Sequence, residues 1–172
     1  MEAARRAGGH DVPRMAELTR AAIAELTPTR GGAVWRAAEA RAEPIEEALD
    51  ALLGDPDALV VVGTIDEVTV GYAVVRVEHL GDGTRLGVID DIFVEEEARG
   101  VGLGETMMHD LVAWSVEQKC FGMDAMALPG HRQTKNFFEE SGFTARKLIM
   151  HHSLADEHHS LADESQPEPD QA

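Results

Sequence analysis

The chain has 172 residues, of which 44% are hydrophobic, and a formal net charge of -17. That length and apolar fraction suit one domain with a sizeable core, whereas the negative charge argues against nucleic acid or an anionic membrane surface as a partner. The single cysteine, Cys120, excludes an internal disulfide, and together with the lack of a long apolar run it leads us to expect a cytoplasmic protein without a membrane span.

The first part of the chain predicts helices. Asp11-Val12-Pro13 indicates a helix start, because a capping acid precedes a proline in the first turn. Helical spacing of apolar residues then continues to Leu26. Residues 29–42 show no clear periodicity, and a second helix is predicted from Glu43-Pro44 to Leu53.

The middle of the chain predicts an antiparallel sheet. Three segments rich in Val and Ile follow one another, and short runs of turn residues separate them. Turns this short join neighbouring antiparallel strands. The predicted strands cover residues 59–65, 69–79 and 85–94.

The sequence from Glu105 to about residue 152 predicts alternating helices and strands. We expect a helix from Glu105 to about Gln118, a strand over 121–128, a short helix over 132–140 and a last strand from 144 to about 152. Five residues define the predicted buried side of the first of these helices: Met107, Met108, Leu111, Val112 and Trp114.

A heptad, His-His-Ser-Leu-Ala-Asp-Glu, occupies residues 151–157 and is repeated at 158–164. The end of the chain beyond it is polar and acidic, which favours disorder. We therefore predict one domain over residues 1–152 and a disordered tail over 153–172. Paired histidines are a metal-binding pattern, but surface histidines without a role are the favoured alternative, so we predict no metal site.

The stretch Arg99-Gly100-Val101-Gly102-Leu103-Gly104 joins a predicted strand to a predicted helix. Glycines let backbone N–H groups approach a ligand closely, and a helix N-terminus adds partial positive charge. The pattern therefore predicts an anion site, most simply for phosphate. Its spacing is neither that of a dinucleotide fingerprint nor that of a P-loop. A tight connection with incidental glycines is the alternative.

This stretch resembles the pyrophosphate motif of the GNAT superfamily of acyl-CoA-dependent N-acyltransferases, Arg/Gln-x-x-Gly-x-Gly/Ala. The later run Asn136-Phe137-Phe138-Glu139-Glu140-Ser141-Gly142-Phe143 resembles that family's second signature, an aromatic helix that ends in Gly-Phe. The order of predicted elements is similar too. The resemblance implies an α+β (α/β) fold with a mixed, mostly antiparallel sheet of six to seven strands and about four helices.

The resemblance also implies acetyl-CoA as the acyl-donor cosubstrate and an amine as the acceptor. Homodimers are common in that family. Strand residues would offer backbone groups to pantetheine, the glycine stretch would hold the pyrophosphate, and His131 stands where the family often has an asparagine that contacts CoA. The implied cofactor-binding residues are Ile92, Phe93, Val94, Arg99, Gly100, Val101, Gly102, Leu103, Gly104, Thr106 and His131.

Two further positions in the donor and acceptor regions have expectations of their own. Glu105 is expected to face solvent, so that Thr106 is free to donate a hydrogen bond to the phosphates. The resemblance places the segment with Trp35 and Arg36 over the acceptor pocket, with core packing as the alternative for Trp35.

For catalysis, the family commonly uses a tyrosine acid at a position that here holds Phe138. A thiol has a pKa of about 8.5 and an alkyl ammonium one of about 10.4, so a base matters more than an acid. Asp90 and Asp91 are the candidate catalytic bases; strand alternation places them on opposite faces unless a bulge intervenes. Structural or solvent-facing roles are their alternatives.

The expected function is direct transfer of an acetyl group from acetyl-CoA to a primary amine. The rival expectation is a non-catalytic acyl-CoA-binding or regulatory module.

Overall fold

A mixed sheet lies at the centre of the computed structural model, which describes residues 1–154. Its strands follow the order β1-β2-β3-β4-β5, in which the first four pair antiparallel and β5 pairs parallel with β4. The strands are β1 (Glu2–Arg6), β2 (Ala58–Ile65), β3 (Val68–His79), β4 (Arg85–Val94) and β5 (Gly122–Ala125).

Helices cover both faces of the sheet. They are α1 (Val12–Leu26), α2 (Gly32–Ala38), α3 (Ile45–Leu53), α4 (Leu103–Glu117) and α5 (Arg132–Glu140), with two short 3-10 turns at Gly9–Asp11 and Glu96–Ala98. In β2, Val60 and Val62 pack with α1 and α3, whereas Leu59 and Val61 pack with α4 and Phe138 of α5. Because both faces are covered, β2 is an unbroken apolar run rather than an alternating one.

The sequence predicted much of this order. Helices α1, α3 and α5 and the three meander strands are confirmed to within one or two residues at most ends, and α4 begins two residues before the predicted start. The predicted numbers of elements were wrong. Residues 1–154 contain five strands rather than six to seven, and five α-helices rather than about four.

Two elements were missed because tertiary contacts create them. Strand β1 has the sequence Glu-Ala-Ala-Arg-Arg, with no β-branched residue, and it forms by pairing with β2. Helix α2 begins after Gly31 in a left-handed conformation (φ 85°) and has only seven residues, too few for a visible period.

The predicted last strand over residues 144–152 is wrong. Residues 144–154 form no regular element, and Leu148, Ile149 and Met150 are 79–89% exposed. Their composition favours a strand, but a strand needs a paired neighbour, and the adjacent edge strand β5 is only four residues long. The predicted burial of Val112 is also wrong, since it is 39% exposed beside the packed stripe of α4.

Several expectations concern the end of the chain. The second heptad copy and nearly all of the expected tail lie outside the described residues. Within residues 1–154, no group of three or more His, Cys, Asp or Glu side chains is arranged to hold a metal ion. No helix in the same part of the chain has the length and apolar character needed to cross a membrane.

The unpredicted strand β1 is joined to the start of α1 by an ion pair. Arg5 donates two hydrogen bonds of 2.8 Å to the buried Asp11 carboxylate, and the Gly8 N–H donates a third of 2.8 Å. Hydrogen bonding from Arg5, the largest influence, lowers the pKa of Asp11 despite the opposing effect of burial.

We predict that Asp11→Asn lowers the free energy of unfolding at pH 7 by about 1–2 kcal/mol, because Gly8 and Arg5 lose a charged acceptor. A carboxyl with a lowered folded pKa stabilises the fold above its unfolded pKa of about 3.9, and this contribution disappears as pH falls through the folded pKa. Urea unfolding between pH 7 and pH 2 should therefore show the two proteins converging at low pH. Asp50→Asn, at an exposed position of α3, is the control. A difference that stays constant to pH 2 would contradict the assignment.

Candidate functional site

Strand β4 loses one of its two neighbours halfway along its length. Strand β5 pairs with it only as far as Ile89 and Ala125, whereas β3 stays paired to Val94. The Glu95 N–H donates to the Val70 carbonyl at 2.9 Å, so alternate residues of this part of β4 bond to β3. The backbone groups of Ile92 and Val94 therefore point into the gap beyond β5.

A β-bulge lies just before this gap. Val74 pairs with Asp91 and Val75 pairs with Ile89, which leaves Asp90 as the extra residue. Tyr72 and Arg76 lie four residues apart on one face of β3, and they donate to Asp91 and Asp90 respectively. The bulge thus directs both carboxylates to the α1 side of the sheet, where alternation alone would have separated them.

Asp91 is held by two donors. Tyr72 Oη lies 3.1 Å from Asp91 Oδ1, and Arg41 Nη2 donates to Oδ2. The side chains of Asp91 and Arg41 are 18% and 14% exposed. Burial, and then the negative charge of Asp91, raise the pKa of Tyr72 well above its ordinary value, so Tyr72 stays a neutral donor. Asp91 is thus a largely buried carboxylate with an arginine partner.

Asp90 has a different arginine partner. It pairs with Arg76, whose side chain is 45% exposed, and the Nη2–Oδ1 distance is 2.9 Å. The hydrogen bond to Asp90, the largest influence, raises the pKa of the Arg76 guanidinium, which therefore stays charged. The two adjacent acids therefore share one side of the sheet and are similarly exposed, at 22% for Asp90 and 18% for Asp91, but their arginine partners differ in burial.

The glycine stretch forms the start of α4. Gly100 and Gly102 have φ values of 82° and 89°, which residues other than glycine adopt only with strain. Within residues 1–154, no acceptor bonds to the backbone N–H groups of residues 102–105, whereas the Thr106 N–H bonds to the Gly102 carbonyl at 3.0 Å. Four free donors and the helix dipole therefore lie together at the first turn.

The neighbouring residues of this turn have other roles. Gly104 allows close packing, since a Cβ there would lie 3.1 Å from the Phe137 ring. Glu105 and Thr106 are exposed, and the Thr106 hydroxyl donates to the Gly102 carbonyl at 2.9 Å rather than outward. Val101 is 47% exposed.

Arg99 is turned towards the protein. Its Nε donates to the Val94 carbonyl at 2.8 Å, its Nη2 donates to Glu25 at 2.7 Å, and its guanidinium lies 5.5 Å from the centre of the Phe93 ring. His131 Nε2 lies 2.9 Å from the other Glu25 oxygen. Glu25 therefore joins α1 to the end of β4 and to the start of α5.

The sequence contained no signal for Glu25. It is one acid in an amphipathic helix, 74 residues from Arg99. Burial, the largest influence, would raise its pKa, but the hydrogen bond and charge of Arg99, followed by those of His131, outweigh it and lower the pKa. Glu25 is therefore an anion at neutral pH.

A cavity of about 220 Å³ lies between α1, β4, the glycine stretch and α5, and we call it the β4 cavity. Eight of the residues expected to bind the cofactor line it, together with Glu25 and with Glu105, which was expected to face solvent only. Val101, Gly102, Thr106, Asp90 and Asp91 do not line it. The eight are Ile92, Phe93, Val94, Arg99, Gly100, Leu103, Gly104 and His131.

Phe138 does not face either acid. It is 6% exposed, and its ring packs 5.6 Å from Phe137 and 5.4 Å from Phe143. It belongs to the core between the sheet and α4. Thus the position of the family's usual tyrosine supplies packing and no proton.

Solved structures show which fold these features define. The fold is similar to the tetramutant of BH1408 protein from Bacillus halodurans (TM-score 0.72, 18% identity, 88% of this chain and 99% of that one). It is also similar to AAC(6')-Iy in complex with the bisubstrate analog CoA-S-monomethyl-acetylneamine (0.69, 15%, 89% and 98%). A third similar structure is ribosomal-protein-alanine N-acetyltransferase from Brucella melitensis biovar Abortus 2308 (0.65, 18%, 89% and 99%). The chain thus shares the fold of these three proteins.

The family follows from the sequence. The model of the Acetyltransferase (GNAT) family matches residues 21–143. The chain therefore belongs to the GNAT acetyltransferase family, as its two motifs indicated. No curated protein matches the chain significantly.

The Glu25 contacts generate a prediction about stability. Glu25→Gln should lower the free energy of unfolding at pH 7 by about 0.5–1 kcal/mol, a modest loss because the ion pair is partly exposed. Since the folded pKa of Glu25 is lowered, its contribution is present above its unfolded pKa of about 4.3 and is lost as pH falls through the folded value. Urea unfolding at pH 7 and pH 3 measures both effects. Glu39→Gln, at an exposed position after α2, is the control. Equal losses in the two variants would show that Glu25 does not brace the site.

Proposed function

We propose that this chain is an acetyl-CoA-dependent N-acetyltransferase that transfers an acetyl group directly to a primary amine. One observation supports this proposal above the others. The free N–H groups of residues 102–105 adjoin a gap into which Ile92 and Val94 turn their backbone groups.

The first turn of α4 fits the pyrophosphate of CoA. Backbone N–H groups and the helix dipole favour an anion, and the glycine conformations of Gly100 and Gly102 keep side chains away from it. Arg99 would act by holding the end of β4 in place, because its donors are used within the protein. Residues 100–104, the backbone N–H of Glu105 and Thr106 would line the phosphate site.

The β4 cavity fits the pantetheine arm. At about 220 Å³ it is smaller than the roughly 300–1,000 Å³ of pockets that enclose a whole ligand, so it suits a narrow chain whose nucleotide lies outside. Arg99 already occupies the Val94 carbonyl, which leaves the Val94 N–H and both backbone groups of Ile92 for the arm. Phe93 and His131 would contribute walls of the cavity.

The proposed transfer forms a C–N bond and breaks the C–S bond of the thioester. An alkyl ammonium must first lose its proton, which at pH 7 costs about 4.6 kcal/mol for a pKa of about 10.4. Asp90 and Asp91 are the proposed bases, and a carboxylate accepting that proton through water would lower this cost. The departing thiolate can take its proton from solvent, since Phe138 has none to give.

Of the two acids, Asp91 is better placed for this role. Asp91 immediately precedes Ile92 in the chain, and the backbone groups of Ile92 face the gap. Arg41 and Tyr72 hold the Asp91 carboxylate in one position. Asp90 is itself the extra residue of the bulge, and its partner Arg76 is exposed. Because the two side chains are similarly exposed, Asp90→Asn is a matched comparison for Asp91→Asn.

We predict that release of free CoA thiol from acetyl-CoA depends on an added primary amine. Asp91→Asn should lower kcat by more than about tenfold, in line with the contribution of a general base, whereas Asp90→Asn should lower it less than about threefold. A thiol assay with a panel of amines measures both. Equal effects of the two variants would contradict the preference for Asp91.

A non-catalytic acyl-CoA-binding module is the second candidate. It is favoured by the burial of Phe138, which leaves no phenol at the usual acid position, and by the arginine partners of both acids. That candidate requires a rise in Tm with acetyl-CoA and no thiol release with any amine. Amine-dependent release would exclude it.

A further inference from the structure

A second cavity, of about 470 Å³, lies on the opposite side of α1 from the β4 cavity. Glu25 of α1 lines the β4 cavity, whereas Ala24 and Thr27 line this one. We call it the arginine cavity, because Arg20, Arg36 and Arg41 contribute to its wall. Three arginines in one cavity stand out in a chain whose net charge is -17.

The acids around this cavity are already paired. Arg20 donates two hydrogen bonds of 2.8 Å to Glu43 and two more of 2.8 Å to Glu46. The hydrogen bond from Arg20, the largest influence, lowers the pKa of Glu43 to about 2. Asp91 is bonded to Arg41. A cationic ligand would therefore have to displace an arginine before it could pair with one of these carboxylates.

Two of the arginines, by contrast, have donors to spare. Arg36 forms no hydrogen bond or ion pair with any residue in 1–154, although its charge acts on Glu43, and its exposed side chain lines the cavity. Arg41 bonds only to Asp91 in the same part of the chain, and its Nε is buried without an acceptor. A guanidinium has five N–H donors in a planar fork that matches a carboxylate.

Arg41 also connects this cavity to the proposed chemistry. Arg41 bonds to Asp91, which lies at the bulge of β4. Ile92 follows Asp91 in the chain, and its backbone groups point into the gap. The cavity is large enough for a small molecule. Strand β4 also faces the β4 cavity. A ligand held at Arg36 and Arg41 would lie near Asp91, on the side of β4 from which the acceptor would approach.

We propose that the arginine cavity binds the acceptor, and that this acceptor carries a carboxylate in addition to its reacting amine, as an amino acid does. Arg36 and the Nη1 group of Arg41 bind the carboxylate, and the amine points to the bulge. This inference rests on the proposed transfer to an amine, whose substrate class it narrows. A polyamine is excluded as the preferred acceptor, because it meets the unpaired guanidinium of Arg36 while the acid that lines the cavity, Glu43, is bonded to Arg20.

The test uses three acceptors that differ in one group: an amino acid, its carboxamide, and the amine that lacks the carboxylate. The wild-type protein should show a kcat/KM at least about tenfold higher for the amino acid, the usual effect of a charge-assisted hydrogen bond. Arg36→Gln should reduce this ratio by about tenfold, and Arg36→Lys should restore part of it. Arg6→Gln removes the same charge at an exposed position of β1 and should keep the wild-type ratio.

Calorimetric titration of the same acceptors separates this inference from the proposed function. If no acceptor is acetylated, but the amino acid binds and Arg36→Gln weakens its binding about tenfold, the transfer proposal fails and the carboxylate site stands. If the amine without a carboxylate binds or reacts as well as the amino acid, the carboxylate site is overturned. Equal ratios for Arg36→Gln and Arg6→Gln would overturn it as well.

Discussion

The site depends on one feature of the sheet, namely that β4 has only one hydrogen-bonded neighbour beyond Ile89. Backbone groups that would have bonded to another strand are left facing a gap, and unpaired backbone groups favour a ligand that can satisfy them. The bulge at Asp90 lies at the same place and sets the direction of the two acids. The glycine stretch begins one short turn after β4 ends, so its free N–H groups open next to the same gap.

Long-range ion pairs hold the two sides of this strand in position. Arg99 and Glu25 are 74 residues apart in sequence, and Arg41 and Asp91 are 50 apart. The Arg99–Glu25 pair braces the wall of the β4 cavity. The Arg41–Asp91 pair connects β4 to the arginine cavity. Helix α1 is the common wall between them. In this arrangement the donor and acceptor would approach β4 from different sides, and the base would lie at the bulge between them.

The sequence predicted the elements with strong local signals: the helix start at Asp11-Val12-Pro13, the Val-rich meander and the glycine stretch. It did not predict β1, which exists through pairing with β2, and it wrongly predicted a strand over 144–152 from composition alone. The residues that line the β4 cavity and are expected to bind the cofactor were predicted through the resemblance to two motifs. Glu25 and Arg41 were missed, because each acts through one contact to a residue far away in the chain, which local spacing cannot show.

The central claim is that acetyl-CoA completes the hydrogen bonds of the gap and of the first turn of α4. NMR-detected amide hydrogen exchange with and without acetyl-CoA tests it residue by residue. The account predicts slower exchange for the amides of Ile92, Val94 and residues 102–105 in the presence of acetyl-CoA, while the amides of β1 keep their rates. A rise in Tm with acetyl-CoA that leaves these amides unprotected would contradict it, because the ligand would then bind elsewhere.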